Sequence, residues 1–320
     1  MAVPAMPSGI SVRQLQEKDF SDADRIFRLA FGTFLGLPDP LRFAGDADYI
    51  RTRWRAHPEA AFAAEYGGEL AGSNFATRWG SVGFFGPLTI RPDLWDKGVG
   101  KRLLEPVMES FAQWGAVHTG LFTFAHSPKH VHLYQKYGFW PRFLTAIMSK
   151  AIHDKGKGPE GTRYSALRNA QRKEALASSR ELTDSIFAGL DVTDEILSVA
   201  NQGLGETILL HDNSRLIGLA VCHCGPGTEA GSGTCYIKFG AVRSGDSARR
   251  NLEQLLDACE KMAFERGLQR VVAGMNLARV EAYQTLVGCG FRPDIQGVVM
   301  QQPNEPGYNR ADAYVIDDWR

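Results

Sequence analysis

The seven residues from Trp95 to Lys101 have the composition of an anion-binding turn. Gly98 and Gly100 have no Cβ, so the backbone there can approach a phosphate closely. The first amides of a following helix would lack intrahelical acceptors and could donate to phosphate oxygens. Lys97 and Lys101 add positive charge. The loop is therefore compatible with a phosphate site, although these residues alone favour a glycine-rich turn that only starts a helix, and the surrounding sequence must decide between the two.

A strand and a helix must hold this loop in place. Residues Ser81 to Ile90 are predicted to form the strand, and Gly86 and Pro87 within it indicate a bulge or a close backbone approach. Residues Gly98 to Trp114 carry apolar side chains at helical spacing and predict an amphipathic helix.

The surrounding sequence predicts a mixed fold of strand hairpins and βα units, which is the α+β class. Apolar spacing and turn residues place a helix, two strands of a hairpin, and further elements on either side of the loop. The expected elements are a strand at 11–15, a helix at 19–31, strands at 60–66 and 70–79, a strand at 121–125, a helix at 129–136 and a strand at 143–148.

Two pairs of segments indicate an internal duplication. Residues 83–111 resemble residues 235–264 at an offset of 152, and residues 127–139 resemble residues 276–291 at nearly the same offset. Fixed-offset similarity of this kind is typical of a repeated unit. We expect one domain at residues 1–152, an exposed Gly- and Lys-rich linker at 153–163, and a second domain at 164–320.

The second copy has lost the glycines of the loop. At the offset of 152, Arg250 replaces Gly98 and Leu252 replaces Gly100. Side chains at these positions would occupy the space of a diphosphate, so the second copy is expected to bind such a ligand poorly and to have a structural or substrate-shaping role.

The order of parts resembles the GNAT superfamily of acetyl-CoA-dependent N-acetyltransferases. A strand ending in Ile90-Arg91-Pro92 is followed by the glycine loop, a helix, a strand and the sequence LYQKYGF from Leu133 to Phe139. The resemblance covers most of residues 11–150. Trp95 stands where the family has Gln or Arg, which removes a polar contact near the diphosphate. The resemblance implies two tandem GNAT-like domains, each a mixed, mostly antiparallel twisted sheet flanked by helices.

The resemblance also implies the role of individual residues, with acetyl-CoA as the co-substrate. The backbone of the strand at Leu88, Thr89 and Ile90 would bind the pantetheine arm like an added strand. Ser127 takes the place of a cofactor-contacting Asn, and Tyr134 matches a tyrosine that protonates the departing thiolate. The diphosphate would be bound by the loop residues Lys97, Gly98, Val99, Gly100 and Lys101.

The group that accepts the proton of the amine is left open by the sequence. An amine with a pKa of ~10.4 costs about 4–5 kcal/mol to deprotonate at pH 7. A carboxylate, a histidine or a water relay could take the proton. Glu65 and His126 are the candidates by position, and neither is favoured over the other.

Composition excludes several function classes. The 320 residues contain 36 basic and 36 acidic side chains, which gives no overall reason to expect nucleic acid as a partner. No apolar run approaches the ~18 residues of a membrane helix, and the N-terminal residues do not predict a signal peptide. Five cysteines at irregular spacing fit a reduced cytoplasm. The histidines near residue 130 lack companions for a metal site.

The sequence thus predicts an N-acetyltransferase that acts on the amine of a small molecule or peptide, as a monomer or homodimer. An acyl-CoA sensor without turnover and a structural dimer partner are the alternatives. The acceptor and the acyl chain length are not predicted. The segment from Val298 to Arg320 is hypothesised to complete the second sheet or to reach the first, where its side chains would line the acceptor cleft.

Overall fold

The computed structural model describes residues 9–154 and 158–320, which are called here the first and the second half. The N-terminal eight residues, on which the signal-peptide prediction depends, and residues 155–157 of the expected linker lie outside the described residues. The first half contains the strands β1 (Ile10–Gln14), β2 (Ala61–Tyr66), β3 (Glu69–Trp79), β4 (Val82–Phe85), β5 (Thr89–Ile90), β6 (His118–Thr123) and β7 (Trp140–Ala151). Its helices are α1 (Phe20–Phe34), α2 (Ile50–Ala56), α3 (Val99–Gln113) and α4 (Pro128–Gln135).

The second half has a similar order of elements, with one long strand in place of β4 and β5 and one additional strand at its end. Its strands are β8 (Thr162–Arg163), β9 (Gly205–Asp212), β10 (Arg215–Gly225), β11 (Gly231–Val242), β12 (Arg270–Asn276), β13 (Arg292–Gln302) and β14 (Val315–Ile316). Its helices are α5 (Asn169–Ile186), α6 (Thr193–Gln202), α7 (Ala248–Glu265) and α8 (Val280–Gly288). The last two residues of the expected linker form β8, which pairs with β9. The α+β class expected from the sequence is confirmed.

The strands of the two halves join into one sheet because each half gives its last long strand to the other. The order is β1-β2-β3-β4-β6-β13-β7-β12-β11-β10-β9-β8, with β5 paired to β3 and β14 paired to β11. Strand β7 of the first half pairs along β12 of the second, and β13 of the second pairs with both β6 and β7. The boundary between the expected domains therefore crosses a continuous hydrogen-bonded ladder.

The predicted strand 81–90 is two short strands. Gly86 has a φ of 148°, a conformation that favours glycine, and Pro87 has no N–H to donate. The chain therefore leaves β4 after Phe85 and resumes as β5, which pairs with β3 through Ile90 and Thr89. The gap between β5 and β6 begins at this interruption.

The apolar face of α3 packs on the sheet as the sequence predicts. Val99, Leu103, Val107 and Phe111 are all buried and belong to one core with residues of β2, β4 and β13. Burying side chains of this size contributes about 1.5–3 kcal/mol each, so the helix start is held firmly against the strands. This packing fixes the position of the loop that precedes α3.

Candidate functional site

The loop before α3 presents backbone amides without acceptors. Gly98 caps the helix in a left-handed conformation, with φ at 84°, and Asp96 has a φ of 65°. The amide of Lys101 donates to the Gly98 carbonyl at 3.2 Å. Within the described ranges, no acceptor contacts the N–H groups of Gly98, Val99 or Gly100. Three such donors at the positive end of a helix dipole are the arrangement to which anions commonly bind in proteins.

The two glycines of the loop have different surroundings. A Cβ built on Gly98 would meet nothing within 4 Å, so the volume in front of this backbone is open. A Cβ on Gly100 would lie 3.0 Å from Ile90 Cδ1, so Gly100 allows α3 to start close to β5. The glycines therefore have different roles: Gly98 permits the turn, and Gly100 permits the helix to approach the strand.

Trp95 itself makes a polar contact at its position in the loop. Its indole Nε1 donates to the Ile90 carbonyl oxygen at 3.0 Å, which ties the loop to β5. The Lys129 ammonium lies 5.8 Å from the centre of the indole ring and 2.7 Å from Asp96 Oδ1. Lys129, at the start of α4, thus places a cation beside the loop. Sequence reasoning missed Lys129, because only the fold brings the two segments together.

Strand β5 offers one edge to a ligand. Its other edge pairs with β3, and the Thr89 hydroxyl lies 3.3 Å from the Ser73 hydroxyl on that buried side. The Ile90 carbonyl is occupied by Trp95. A peptide-like arm of a ligand that lies along β5 would therefore have to form its hydrogen bonds with backbone groups of β5 other than the Ile90 carbonyl.

A cavity of about 620 Å³ connects the loop, β5 and α4. Most of the site residues expected from the sequence line it, and Thr89 and Lys97 do not. Thr89 faces β3, and Lys97 is exposed. The expected residues that line the cavity are Leu88, Ile90, Gly98, Val99, Gly100, Lys101, Ser127 and Tyr134.

Tyr134 reaches the cavity from α4 with an unpaired hydroxyl. Its ring packs edge-on against Phe85 at 5.7 Å, and the residue is 7% exposed. Burial raises the pKa of this phenol well above its ordinary value. No group among the residues of the structure that are described hydrogen-bonds the hydroxyl. The geometry leaves a protonated phenol facing the cavity at neutral pH.

The two base candidates expected from the sequence do not line this cavity. Glu65 lies on β2 and forms an ion pair with Arg13 at 2.7 Å. The His126 ring packs against Phe34 and Phe124. His130, one turn before Tyr134 on α4, does line the cavity. Burial lowers the pKa of His130, and the charges of Lys129 and His126 lower it further.

The C-terminal segment agrees with both forms of the hypothesis for residues 298–320: β14 pairs with β11 and extends the second half's strands, and other residues of the segment reach the first half. Strand β13 pairs with β6, and Trp319 and Arg320 line the cavity. The Trp319 ring stacks on Phe84 with centroids 6.1 Å apart and planes 5° apart.

Arg53 connects Gly86, which lines the cavity, to a residue of the second half. This buried arginine of α2 donates from Nη1 to the Gly86 carbonyl at 2.5 Å and pairs with Glu229 at 2.9 Å. Glu229 is also 2.8 Å from Lys238 Nζ, and these two cations lower the pKa of Glu229 against the effect of burial. The interruption between β4 and β5 is therefore held by a charge network from both halves.

In the second half, a segment of the chain itself occupies the groove equivalent to the β5 edge. At the offset of 152, Leu88 and Thr89 correspond to Gly240 and Ala241, and these two residues pair with β14. Helix α7 begins at Ala248, about one turn earlier than α3 by the same offset, and the Asn251 amide donates to the Ser247 carbonyl. The amides equivalent to those of Val99 and Gly100 are thus used within a helix.

Leu252 does not fill a phosphate space as expected. It is fully buried in the core with residues of β10 and β11, because the position of Gly100 faces the sheet rather than the ligand. Strand β14 and the longer helix, neither of which the offset reveals, alter the second groove instead.

Two negative observations concern the described ranges alone. They contain no group of three or more His, Cys, Asp or Glu arranged to hold a metal ion. No helix in them has the length and apolar character needed to cross a membrane. The five cysteines are all free thiols.

Comparisons with known proteins agree with this geometry. Residues 23–139 match the acetyltransferase (GNAT) family, which confirms the resemblance expected from the sequence. A putative acetyltransferase from Pyrococcus horikoshii superposes with a TM-score of 0.68 at 13% identity, over 100% of this chain and 98% of that one. A GCN5-related N-acetyltransferase from Sphaerobacter thermophilus gives 0.61 at 16% identity, over 95% and 98%.

A third structure, described as a GCN5-related glucosamine N-acetyltransferase region in a fungal multi-domain GH3 beta-N-acetylglucosaminidase, superposes with a TM-score of 0.63 at 13% identity. It covers 93% of this chain and 38% of that one. At these identities the likeness shows the fold, including its two-half layout. A comparison with curated proteins gives no match.

Proposed function

From the match of residues 23–139 to the GNAT acetyltransferases, we propose that this protein is an acetyl-CoA-dependent N-acetyltransferase acting on the amine of a small molecule or peptide. One observation carries the proposal. The unpaired amides of Gly98 to Gly100 and the unpaired hydroxyl of Tyr134 face the same cavity. An anion site and an acid in one cavity match the two ends of a coenzyme A thioester.

Each end has residues suited to it. The amides of Gly98, Val99 and Gly100 would bind the diphosphate, with Lys101 and Lys129 nearby as cations. The exposed edge of β5, with Leu88 and Ile90, would bind the pantetheine arm, and Ser127 at the start of α4 would lie beside it. The co-substrate supplies an activated acyl group at the Tyr134 end.

Tyr134 and His130 have complementary protonation states for direct transfer. They are four residues apart on α4, so their side chains share one face of the helix. The amine nitrogen forms a bond to the acyl carbon, and the carbon–sulfur bond breaks. Tyr134 gives its proton to the leaving sulfur, and the neutral imidazole of His130 takes a proton from the nitrogen. Exchange through water then returns a proton to Tyr134.

The second half has a supporting role in this proposal. Strand β14 occupies the groove equivalent to that of the first half, and Glu229 positions Arg53 against the Gly86 carbonyl. One co-substrate molecule per chain is therefore expected. The second half shapes the first cavity through Arg53 and through Trp319 and Arg320.

Release of free thiol from acetyl-CoA tests the proposal against its alternatives. An enzyme releases thiol in proportion to added amine and forms the acetylated amine, which mass spectrometry detects. An acyl-CoA sensor would show a thermal shift with acetyl-CoA but no amine-dependent thiol. A structural partner would show neither response. Protein heated until unfolded serves as the control for spontaneous aminolysis of the thioester.

A further inference from the structure

The cavity continues past Tyr134 into a region built of aromatic rings. We call this region the aromatic wall. Successive ring centroids along it lie between 5.1 and 6.3 Å apart, so the rings form one continuous surface. The aromatic wall consists of Phe27, Phe31, Phe34, Phe43, Tyr49 and Phe124.

The aromatic wall reaches the residues that would carry out the transfer. The Phe34 ring lies 5.1 Å from the His130 ring and 5.1 Å from the Phe124 ring. Helix α1 supplies Phe27, Phe31 and Phe34 at spacings of four and three residues, which place them on one face. The apolar part of an acceptor molecule bound to the aromatic wall would therefore lie next to His130, on the side of the proposed thioester position from which the amine approaches.

Charged groups along the cavity are distributed unevenly. Asp96 is the only acidic residue among the described residues that line it, and Asp96 lies at the phosphate loop, paired with Lys129. The same cavity is lined by the cations Lys101, Lys129, Lys136 and Arg320. Nearby Glu229 is fully buried and already paired with Arg53 and Lys238. A polycation would lose its hydration here without gaining a carboxylate.

We infer that the acceptor is a primary amine carried on an aromatic or branched apolar body, and that the aromatic wall binds this body. The inference rests on the proposed function and names its substrate class. Apolar contact with the rings would hold the body, and their π-faces would attract an arriving ammonium without any carboxylate. Desolvation on the wall then favours the neutral amine, which is the nucleophilic form.

The inference specifies the reaction that consumes the amine. The arriving ammonium first releases one proton to water. The neutral nitrogen then forms a bond to the acyl carbon and loses one proton to His130, while the carbon–sulfur bond breaks and the leaving sulfur gains one proton from Tyr134. The product is an apolar amide that has lost the positive charge of its precursor. It therefore loses the cation–π attraction to the wall, which favours its release.

The test measures thiol release with four amines at equal concentration. Phenethylamine and cyclohexylmethylamine carry apolar rings, butylamine has only a chain, and spermidine is a polycation. We expect kcat/KM for the two ring amines to exceed that for spermidine by at least about 10-fold, since each buried CH₂ contributes about 0.8 kcal/mol. A preference for spermidine overturns the inference.

Phe34→Ala probes the wall itself. It should raise KM for phenethylamine about 10-fold or more, while the acetyl-CoA affinity stays unchanged. Phe264→Ala, at an exposed phenylalanine on α7, is the matched control and should change neither value. If KM for phenethylamine is unchanged in Phe34→Ala, the inference is wrong. It is also wrong if Phe34→Ala instead abolishes a preference for octanoyl-CoA, because the wall would then bind acyl chains.

Calorimetric titration of the amines into the protein–coenzyme A complex separates this inference from the proposed function. If no amine releases thiol but phenethylamine binds and spermidine does not, the proposed activity fails and the ligand class stands. Thiol release with spermidine alone leaves the activity intact and overturns the ligand class. Absence of binding by both ring amines also overturns it.

Discussion

Burial keeps Tyr134 in the protonated form that its proposed role as an acid requires. Its ring is enclosed by apolar neighbours such as Phe85, and burial raises the pKa of the phenol above its ordinary value. A phenol whose pKa is raised stays protonated as the pH increases. The acid therefore remains available throughout the range in which an amine acceptor loses its proton.

Replacing Tyr134 by Phe should reduce kcat at least about 100-fold, in the range typical of a lost general acid. The acetyl-CoA dissociation constant should stay within a factor of about two, because the hydroxyl makes no contact with the loop. Stopped-time thiol assays and calorimetry measure the two values. Tyr137→Phe, which removes a hydroxyl bonded to the Lys101 carbonyl, is the control for loss of a phenol on the same helix end.

The activity of the unmodified enzyme should rise with pH. Between pH 8 and 10 it should show no decline that depends on Tyr134, that is, no descending limb that disappears in Tyr134→Phe. The raised pKa places ionisation of Tyr134 above this range, so deprotonation of the acid cannot limit the rate there. A pH–rate profile of kcat with phenethylamine checks this. A descending limb near pH 9 that disappears in Tyr134→Phe would contradict it.

At the residue scale, the spacing of Gly98 and Gly100 ahead of a helix indicated the loop. Ser127 and Tyr134 were identified only through the resemblance to the GNAT superfamily. Lys129 and Arg53 could not be identified, because their roles depend on contacts with Asp96 and Gly86 that only the folded chain creates. For the base, the sequence left Glu65 and His126 open and did not single out His130, because periodicity does not show which histidine faces the cavity.

At the element scale, β14 determines what the second half can bind. Arg279, which is buried on the strand–helix connection before α8, donates from Nη1 to the Val315 carbonyl at 2.9 Å and from Nη2 to Asp317 at 2.8 Å. Tyr308 also donates to Asp317, at 2.6 Å. These contacts fix the strand on β11 and so set the direction in which Trp319 and Arg320 leave it. The sequence offset revealed the missing glycines. It could not show this pairing, since β14 has no counterpart in the first half, but the pairing agrees with the hypothesis that residues 298–320 complete the second sheet.

Arg279→Met should therefore lower the free energy of unfolding by about 3–5 kcal/mol, the usual cost of leaving one charge of a buried pair alone. It should also raise KM for the amine while the acetyl-CoA affinity stays unchanged, because only the tail residues of the cavity move. Urea titration and steady-state kinetics measure these effects.

Arg180→Met is the matched control, because Arg180 is 61% exposed in its pair with Asp191. Surface pairs contribute about 0–1 kcal/mol. An Arg279→Met protein as stable as the control, with an unchanged KM, would show that the tail is not held as described.

At the scale of the whole molecule, the exchange of β7 and β13 makes the halves depend on each other. Strand β7 has its two neighbours, β12 and β13, in the second half. The repeat in the sequence predicted two units with a linker, and a repeat alone cannot show which copy each terminal strand joins. Interruption of the ladder between β6 and β12 would expose strand edges and core on both sides.

We expect the full chain to unfold in a single calorimetric transition. Leu256→Ala, in the fully buried core under α7, should cost about 2–5 kcal/mol and should lower the temperature of that one transition without splitting it. A first-half transition that keeps its original temperature in this variant would mean that the halves fold separately.

The central claim is that the amides at Gly98 to Gly100 bind one coenzyme A per chain, and calorimetric titration with acetyl-CoA tests it most directly. The expected stoichiometry is one, with affinity reduced at least about 10-fold in Gly98→Ala, whose φ of 84° strains any side chain. Gly115→Ala, with a φ of 63° and equally open surroundings at the far end of α3, should cost similar stability and leave the affinity unchanged. No binding, two sites per chain, or equal loss in both variants would contradict the account.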